Sequence, residues 1–196
     1  MSSEALSTRT RILKSAWDLL ESGAGKTRMS DIAKAAGISR QAVYLHFPNR
    51  AELLIATTRY IDEVKDVDAR LAASRSAPSG EARLEAFIAA WGNYIPEIYG
   101  VACALMALED SDPEARLAWD GRMTAVREGC AAAVTALQRD GMLQEGLSPE
   151  EATDLLWVQL SVPVWEQLVK TCGWSQARYI ELTTQTARRA LLPGGR

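Results

Sequence analysis

Apolar residues recur along this chain at intervals of three and four, and no stretch alternates apolar with polar as a half-buried strand does. The pattern predicts an all-α protein of about nine helices. Ile12, Ala16, Leu19 and Leu20 form the stripe of a first helix from about 7 to 22, with Leu13 and Trp17 beside it and Gly23-Ala24-Gly25 at its end. Met29, Ile32, Ala33 and Ala36 mark a short second helix, with Ser30 and Asp31 at its front where a cap oxygen and a negative charge suit the helix dipole. Gly37 then takes the left-handed conformation that closes a helix without steric cost, and Ile38 returns an apolar side chain to the core. Ser39 caps a third helix, 40–46, which turns Val43 and Phe47 inward and leaves Arg40, Gln41, Tyr44 and His46 on other faces.

From Arg50 one long helix is predicted to about 74, with Leu53, Thr57, Tyr60, Ile61, Val64 and Leu71 along its stripe. The Ser- and Pro-containing stretch 74–80 reads as a mobile loop. A helix from 81 should stop or kink before Pro96, and a mostly apolar one should follow over 97–109. Asp112-Pro113-Glu114 opens a long helix that ends near Asp140-Gly141. Ser148-Pro149 repeats that signal for a helix through Lys170, bent at Pro163. Trp174-Ser175 opens the last one, which ends before Pro193-Gly194-Gly195. No internal repeat interrupts the series.

The stretch 29–50, MSDIAKAAGISRQAVYLHFPNR, has the turn chemistry of a helix-turn-helix. Arg suits guanine and Gln suits adenine through paired hydrogen bonds in the major groove. Arg40 and Gln41 occupy the first turn of the second helix, where such contacts are made. Ser39, Tyr44, His46 and Arg50 are predicted to join them at the DNA, the last three at phosphates that fix register. Thr27 and Arg28 precede the motif and suit phosphates too, with local capping the alternative for Thr27. A three-residue turn between amphipathic helices also occurs in helical proteins of other kinds; the YLHF run and the basic start of the next helix favour DNA.

Over about its first 55 residues the chain resembles the tetracycline-repressor (TetR) family of bacterial regulators. The likeness rests on Arg11-Ile12-Leu13, Ala16, Thr27, Asp31-Ile32-Ala33, Ala36-Gly37-Ile38-Ser39, Tyr44, His46-Phe47, Arg50 and Leu53. It implies a DNA-binding domain at 1–50, a connecting helix over about 50–73, and a helical-bundle domain at 51–196 that binds a small effector and dimerises. Gln41-Ala42 stands where that family commonly has a small residue and then a hydroxyl residue, so the bases read do not follow from the resemblance.

Charge sharpens this division. The whole chain carries 22 Lys and Arg against 25 Asp and Glu, a net of −3. Residues 1–50 hold eight basic against four acidic, which leaves 14 against 21 for the remainder. The positive field thus coincides with the helix-turn-helix. Arg9, Arg11 and Lys14 add to it behind a polar, flexible arm at 1–6.

With 47% hydrophobic residues the 196-residue chain has material for a sizeable core. No basic and apolar leader precedes the first helix, and the run 155–165 is shorter than the roughly 20 residues of a membrane span, so a cytoplasmic protein is expected. Cys103, Cys130 and Cys172 lack CxxC spacing and read as reduced, mostly buried thiols. The sole histidine, His46, lies in the DNA module, and no nucleophile motif, metal spacing or phosphate-binding Gly loop appears. Neither enzyme activity, cofactor nor metal is expected; the acids Glu109, Asp110, Asp112 and Glu114 read as loop solvation and helix capping.

Five of the six Trp fall after residue 51. Phe87, Trp91, Tyr94 and Cys103, with Met106, Trp119, Met123 and Trp157, are candidates to line an effector cavity between helices, the alternative being that they fill the core. Few charges between 99 and 108 suggest an uncharged or aromatic effector. Apolar residues on more than one face of the last helices point to a homodimer, with Leu155, Val158, Val162, Trp165, Tyr179, Leu182 and Ala187 at its interface. Such a dimer sets two recognition helices about 34 to 36 Å apart on a roughly palindromic operator. The reading is a repressor of transcription released from double-stranded DNA by a small effector. A helical small-molecule carrier and an activator are the rivals.

Overall fold

The computed structural model describes residues 7–23 and 27–194, and among them are ten α-helices and no strand. The arm at 1–6, the Ala24-Gly25 part of the first turn, and Gly195 lie outside the described residues. The chain forms two compact units, Met1–Asp66 with Tyr99–Arg122, and Val67–Ile98 with Met123–Arg196.

In the first unit the N-terminal helices form where capping and apolar spacing agree. Helix α1 (Thr8–Glu21) starts at Ser7, whose hydroxyl accepts the Thr10 N–H at 3.2 Å. Helices α2 (Met29–Ala35) and α3 (Arg40–His46) follow, and α4 (Arg50–Val64) is capped by Asn49, whose Oδ1 accepts the Glu52 N–H at 2.8 Å. Ile12, Leu13 and Ala16 of α1 meet Ile32 and Ala33 of α2, Val43 of α3, Phe47 just after it, and Leu53 of α4 in one apolar cluster. α4 ends well short of the expected position near 74: Lys65 N–H still bonds the Ile61 carbonyl at 2.9 Å, but Asp66 turns to a φ of 51°. Asp is among the few residues that tolerate this conformation. The apolar stripe runs on past it to Leu71, so periodicity alone does not reveal the break.

Arg50, at the start of α4, is 8% exposed. Its Nη1 meets Asp112 Oδ2 at 2.7 Å and Glu114 Oε2 at 3.3 Å, and its Nε donates to the Thr27 carbonyl. Asp112 is itself buried, and its other oxygen accepts the N–H groups of Glu114 and Ala115 at 3.2 and 3.4 Å, capping α7 (Pro113–Arg139). Beside this anchor Arg122 donates to Asp62 at 3.0 Å. The acidic cluster of the sequence is thereby accounted for, since Asp110 pairs with Arg116 and the Glu109 carbonyl accepts from the same guanidinium.

The second unit holds α5 (Val67–Arg75) and α6 (Gly80–Leu108) up to Ile98, and α6 runs through Pro96 where a stop or kink was expected. Proline has no N–H for the carbonyl four residues back. That carbonyl belongs to Gly92, and Gln176 Nε2 donates to it at 2.8 Å while Gln176 Oε1 accepts from Trp165 Nε1 at 2.9 Å. A side chain substitutes for the lost backbone bond. Gly92 also lets α10 (Gln176–Leu191) lie close, because a Cβ there would run into Ile180.

The predicted bent helix to Lys170 is instead α8 (Pro149–Gln159), then α9 (Val162–Trp165), then a π-helical segment, Glu166–Thr171. Pro163 sits in the first turn of α9, the place in a helix where a missing N–H costs nothing, so it starts a helix rather than bending one. This restart resets which residues face inward. Val162, Trp165, Tyr179 and Ala187 are at most 2% exposed in the chain's own core, so these four are corrected out of the predicted dimer interface. Leu155 and Val158 on α8 are 46% and 58% exposed, and Leu182 is half-buried. Cys130 is buried and Cys103 half-buried, whereas Cys172 is exposed, contrary to the expectation of mostly buried thiols. No helix of the described residues is long and apolar enough to cross a membrane.

Replacing Arg50 by Met strands the Asp112 carboxylate in the interior and is expected to cost about 3 to 5 kcal/mol in urea unfolding. Glu114→Gln, at a side chain 41% exposed, should cost less than about 1 kcal/mol. Equal effects would show that burial does not set the strength of this anchor. Burial pushes the Cys130 thiol from 9.0 up to about 12 and the Tyr179 hydroxyl from 10.0 up to about 12. The unfolded chain therefore releases these protons first, and stability should fall as pH rises from about 9 towards 12. Unfolding curves over that range check the sign. At pH 8 a disulfide reagent should titrate Cys172 rapidly and reach Cys130 only after denaturant is added.

Candidate nucleic-acid interface

The turn between α2 and α3 is built by backbone geometry. Gly37 takes a φ of 65°, its N–H bonds the Lys34 carbonyl at 3.2 Å, and Ile38 N–H bonds the Ala33 carbonyl at 3.0 Å. These two bonds are the pair that closes a helix on a left-handed residue, with Ile38 packed against the apolar cluster as its hydrophobic contact. Ser39 then caps α3, accepting the Ala42 N–H at 3.1 Å. At the front of α2, Asp31 accepts the Arg28 N–H at 3.2 Å. Both helix starts and the turn between them are thus fixed without help from a ligand.

Val43 and Phe47, at 0% and 2% exposure, set the inward side of α3. With that side fixed, Ser39, Arg40, Gln41, Tyr44 and His46 all reach solvent, and so does Arg28. Arg40 Nη2 donates to Tyr44 Oη at 3.1 Å, and its guanidinium lies 5.4 Å from the centre of the Tyr44 ring. Arg9 stacks over the Phe47 ring at 4.6 Å, beside a cleft of about 400 Å³ that His46, Arg59 and Tyr60 also line. Arg9, Arg28, Arg40, Gln41, Tyr44 and His46 give this side of the unit hydrogen-bond donors, cations and aromatic rims, which suits phosphates and base edges.

Two of the predicted phosphate ligands are elsewhere. Thr27 is 3% exposed and Arg50 8%, and the Arg50 guanidinium is occupied by Asp112, Glu114 and the Thr27 carbonyl, so both are corrected out of the DNA-facing set. The acidic partners of Arg50 lie more than sixty residues on, beyond the reach of a local motif. Leu45 stands outside the predicted set, since a leucine carries no hydrogen-bonding signal, yet it is 87% exposed on α3. Its position one helical turn after Gln41 was the available clue.

The candidate effector residues divide between the units. Phe87, Trp91 and Tyr94 are buried on α6, and Met123 and Trp157 are half-buried, all in the second unit. Trp91 and Tyr94 meet edge to face at 5.9 Å, and the Trp91 indole N–H donates to the Leu160 carbonyl at 2.7 Å. Cys103, Met106 and Trp119 belong to the first unit, half-buried except for the buried Trp119. Among the described residues no group of three or more His, Cys, Asp and Glu side chains is placed to hold a metal ion.

A family model described as bacterial regulatory proteins, tetR family, matches residues 12–57, the span from within α1 to within α4. Across 155 residues the chain is 26% identical to the HTH-type transcriptional regulator CymR of Pseudomonas putida, which covers 79% of this chain and 74% of that protein. The fold is shared with the fatty acid degradation regulator FadR of Bacillus halodurans, at a TM-score of 0.73 and 19% identity over 95% of this chain and 97% of that one. FadR of Bacillus subtilis, solved in complex with stearoyl-CoA, gives a TM-score of 0.74 at 15% identity, covering 92% of this chain and 98% of its own. Residues 12–57 thus carry the helix-turn-helix of the tetR family of bacterial regulatory proteins, built as described, in a chain that is similar over most of its length to a transcriptional regulator.

Proposed function

We propose that this regulator is a cytoplasmic, homodimeric repressor that leaves a roughly palindromic operator when a small apolar or aromatic effector binds. The observation that carries the reading is the solvent-facing Arg40 and Gln41 in the first turn of a helix whose inner side is locked by Val43 and Phe47. DNA contact is assigned to residues 1–50, through Ser39, Arg40, Gln41, Tyr44, His46 and Arg28, and effector binding and dimerisation to residues 51–196.

Support for an apolar effector comes from the chemistry of Phe87, Trp91, Tyr94, Met123 and Trp157, and from a protein of the same fold holding stearoyl-CoA. Support for a dimer comes from Leu155 and Val158, neighbours one turn apart on α8 that leave an apolar strip in water. A ligand shifts the regulator only through different affinities for its DNA-competent and DNA-released arrangements. A coupling of about 1 to 3 kcal/mol changes DNA affinity roughly 5- to 150-fold.

Arg40→Ala is expected to relax base preference at one position in each half-site, at a cost of about 1 to 3 kcal/mol there. Arg28→Ala should weaken operator and random duplexes alike and lower the salt slope by about one. Anisotropy titrations at several salt concentrations test both, and the reverse pattern would exchange the two roles. Val158→Glu with Leu155→Glu should move the sedimentation coefficient from dimer to monomer and weaken operator binding; an unchanged dimer would place the interface on another face.

A further inference from the structure

Among the described residues Leu45 is the most exposed of the large hydrophobic side chains, at 87%, ahead of Val158 at 58% and Leu117 at 54%. Its surroundings differ from those of Val158, which has Leu155 beside it. The outward neighbours of Leu45 on α3 are Gln41, Tyr44 and His46, so it is a single apolar group among hydrogen-bonding ones.

Its direction follows from the helix. Val43 is fully buried, and at about 100° per residue Gln41 and Leu45 lie on either side of the point diametrically opposite. Arg40 and Tyr44 fall on one flank, where the hydrogen bond at 3.1 Å holds them to each other and leaves the outermost line to the Gln41–Leu45 pair. Residues four apart on a helix are neighbours, separated by about 6 Å along its axis, close to two base-pair steps of about 3.4 Å.

The one apolar group that projects from the floor of the major groove is the 5-methyl group of thymine. An isolated isobutyl group at the outermost point of a recognition helix is complementary to that feature and to no other base edge. A protein partner would offer a broader apolar surface than one side chain can cover, and the polar ring around Leu45 would be left unpaired against it. We propose that Leu45 is a specificity-determining residue that reads a thymine methyl in each half-site, within about two base pairs of the base read by Gln41. The inference rests on the operator-binding reading above and adds an apolar contact to its hydrogen-bonding ones.

The test uses the full chain and duplexes that it selects from a random 30-bp library. In the tightest duplex each thymine is replaced singly by deoxyuridine, which removes the methyl group and keeps the pairing. Wild type should lose about 4-fold in affinity at one thymine per half-site, as expected for one buried methyl-sized group. Leu45→Ala should bind the thymine and uracil duplexes equally at that position and keep any penalty found at other thymines. Alanine suits an exposed helical site, so an unchanged thermal melt confirms that the variant is folded. If no thymine is sensitive, or if Leu45→Ala keeps the same penalty, the methyl contact is refuted while operator binding stands. If the library yields no enriched duplex, the operator reading fails and this inference with it.

Discussion

A guanidinium withdrawn from water must be matched atom by atom or it destabilises the fold that holds it. At Arg50 in the first unit Nη1 and Nε find such partners in the carboxylates of Asp112 and Glu114 and the carbonyl of Thr27, while Nη2 is buried without one. Three separate points of the chain converge there: the residue that enters α2, the start of α4 and the cap of α7. The helix-turn-helix therefore hangs between its own apolar cluster on one side and a buried ion pair on the other. A pair of this kind gains little net free energy over an apolar substitute, but it penalises every arrangement in which its members part. That makes it a device for holding the entrance of α2 and the exit of α3 in one relation.

The exposed face of α3 inherits its order from this arrangement. Four of the residues that point away from the core can hydrogen-bond, and none of them has to be restrained by DNA to point outward, because Val43 and Phe47 already fix the rotation of the helix. Preorganisation of this sort lowers the entropy lost on binding, since the surface is presented before the partner arrives. The Arg40–Tyr44 pair carries the same logic one level further, to the direction of a single guanidinium.

Local chemistry made most of the helical plan legible. Ser7, Ser39, Asn49 and Ser148 each cap the helix that follows, and Gly37 closes α2 as its neighbours foretold. What escaped was non-local. Arg50 reads as a surface cation until Asp112 and Glu114 are brought to it, and Thr27 as a polar loop residue until α4 covers it. Pro96 reads as a helix end because its remedy, Gln176, lies eighty residues away in the chain. The break at Asp66 is hidden by a stripe that continues across it, and the restart at Ser161 redirects Val162 and Trp165 into the core. Function was legible where charge, turn and spacing fell in one short window, and illegible where it depended on an apolar residue such as Leu45 with no polar signature.

The remedy at Pro96 ties the history of three positions together. Gln176 is needed at the Gly92 carbonyl because proline stands at 96, and it reaches that carbonyl because glycine at 92 lets α10 come near. An ordinary residue at 96 would supply its own amide and release Gln176 from this duty, whereas a side chain at 92 would force Ile180, on the same helix as Gln176, to move. Changes at these sites are therefore strongly non-additive. Substitutions that are harmless in one order of acquisition are damaging in another, so the trio constrains which neighbouring sequences this fold can reach by single steps.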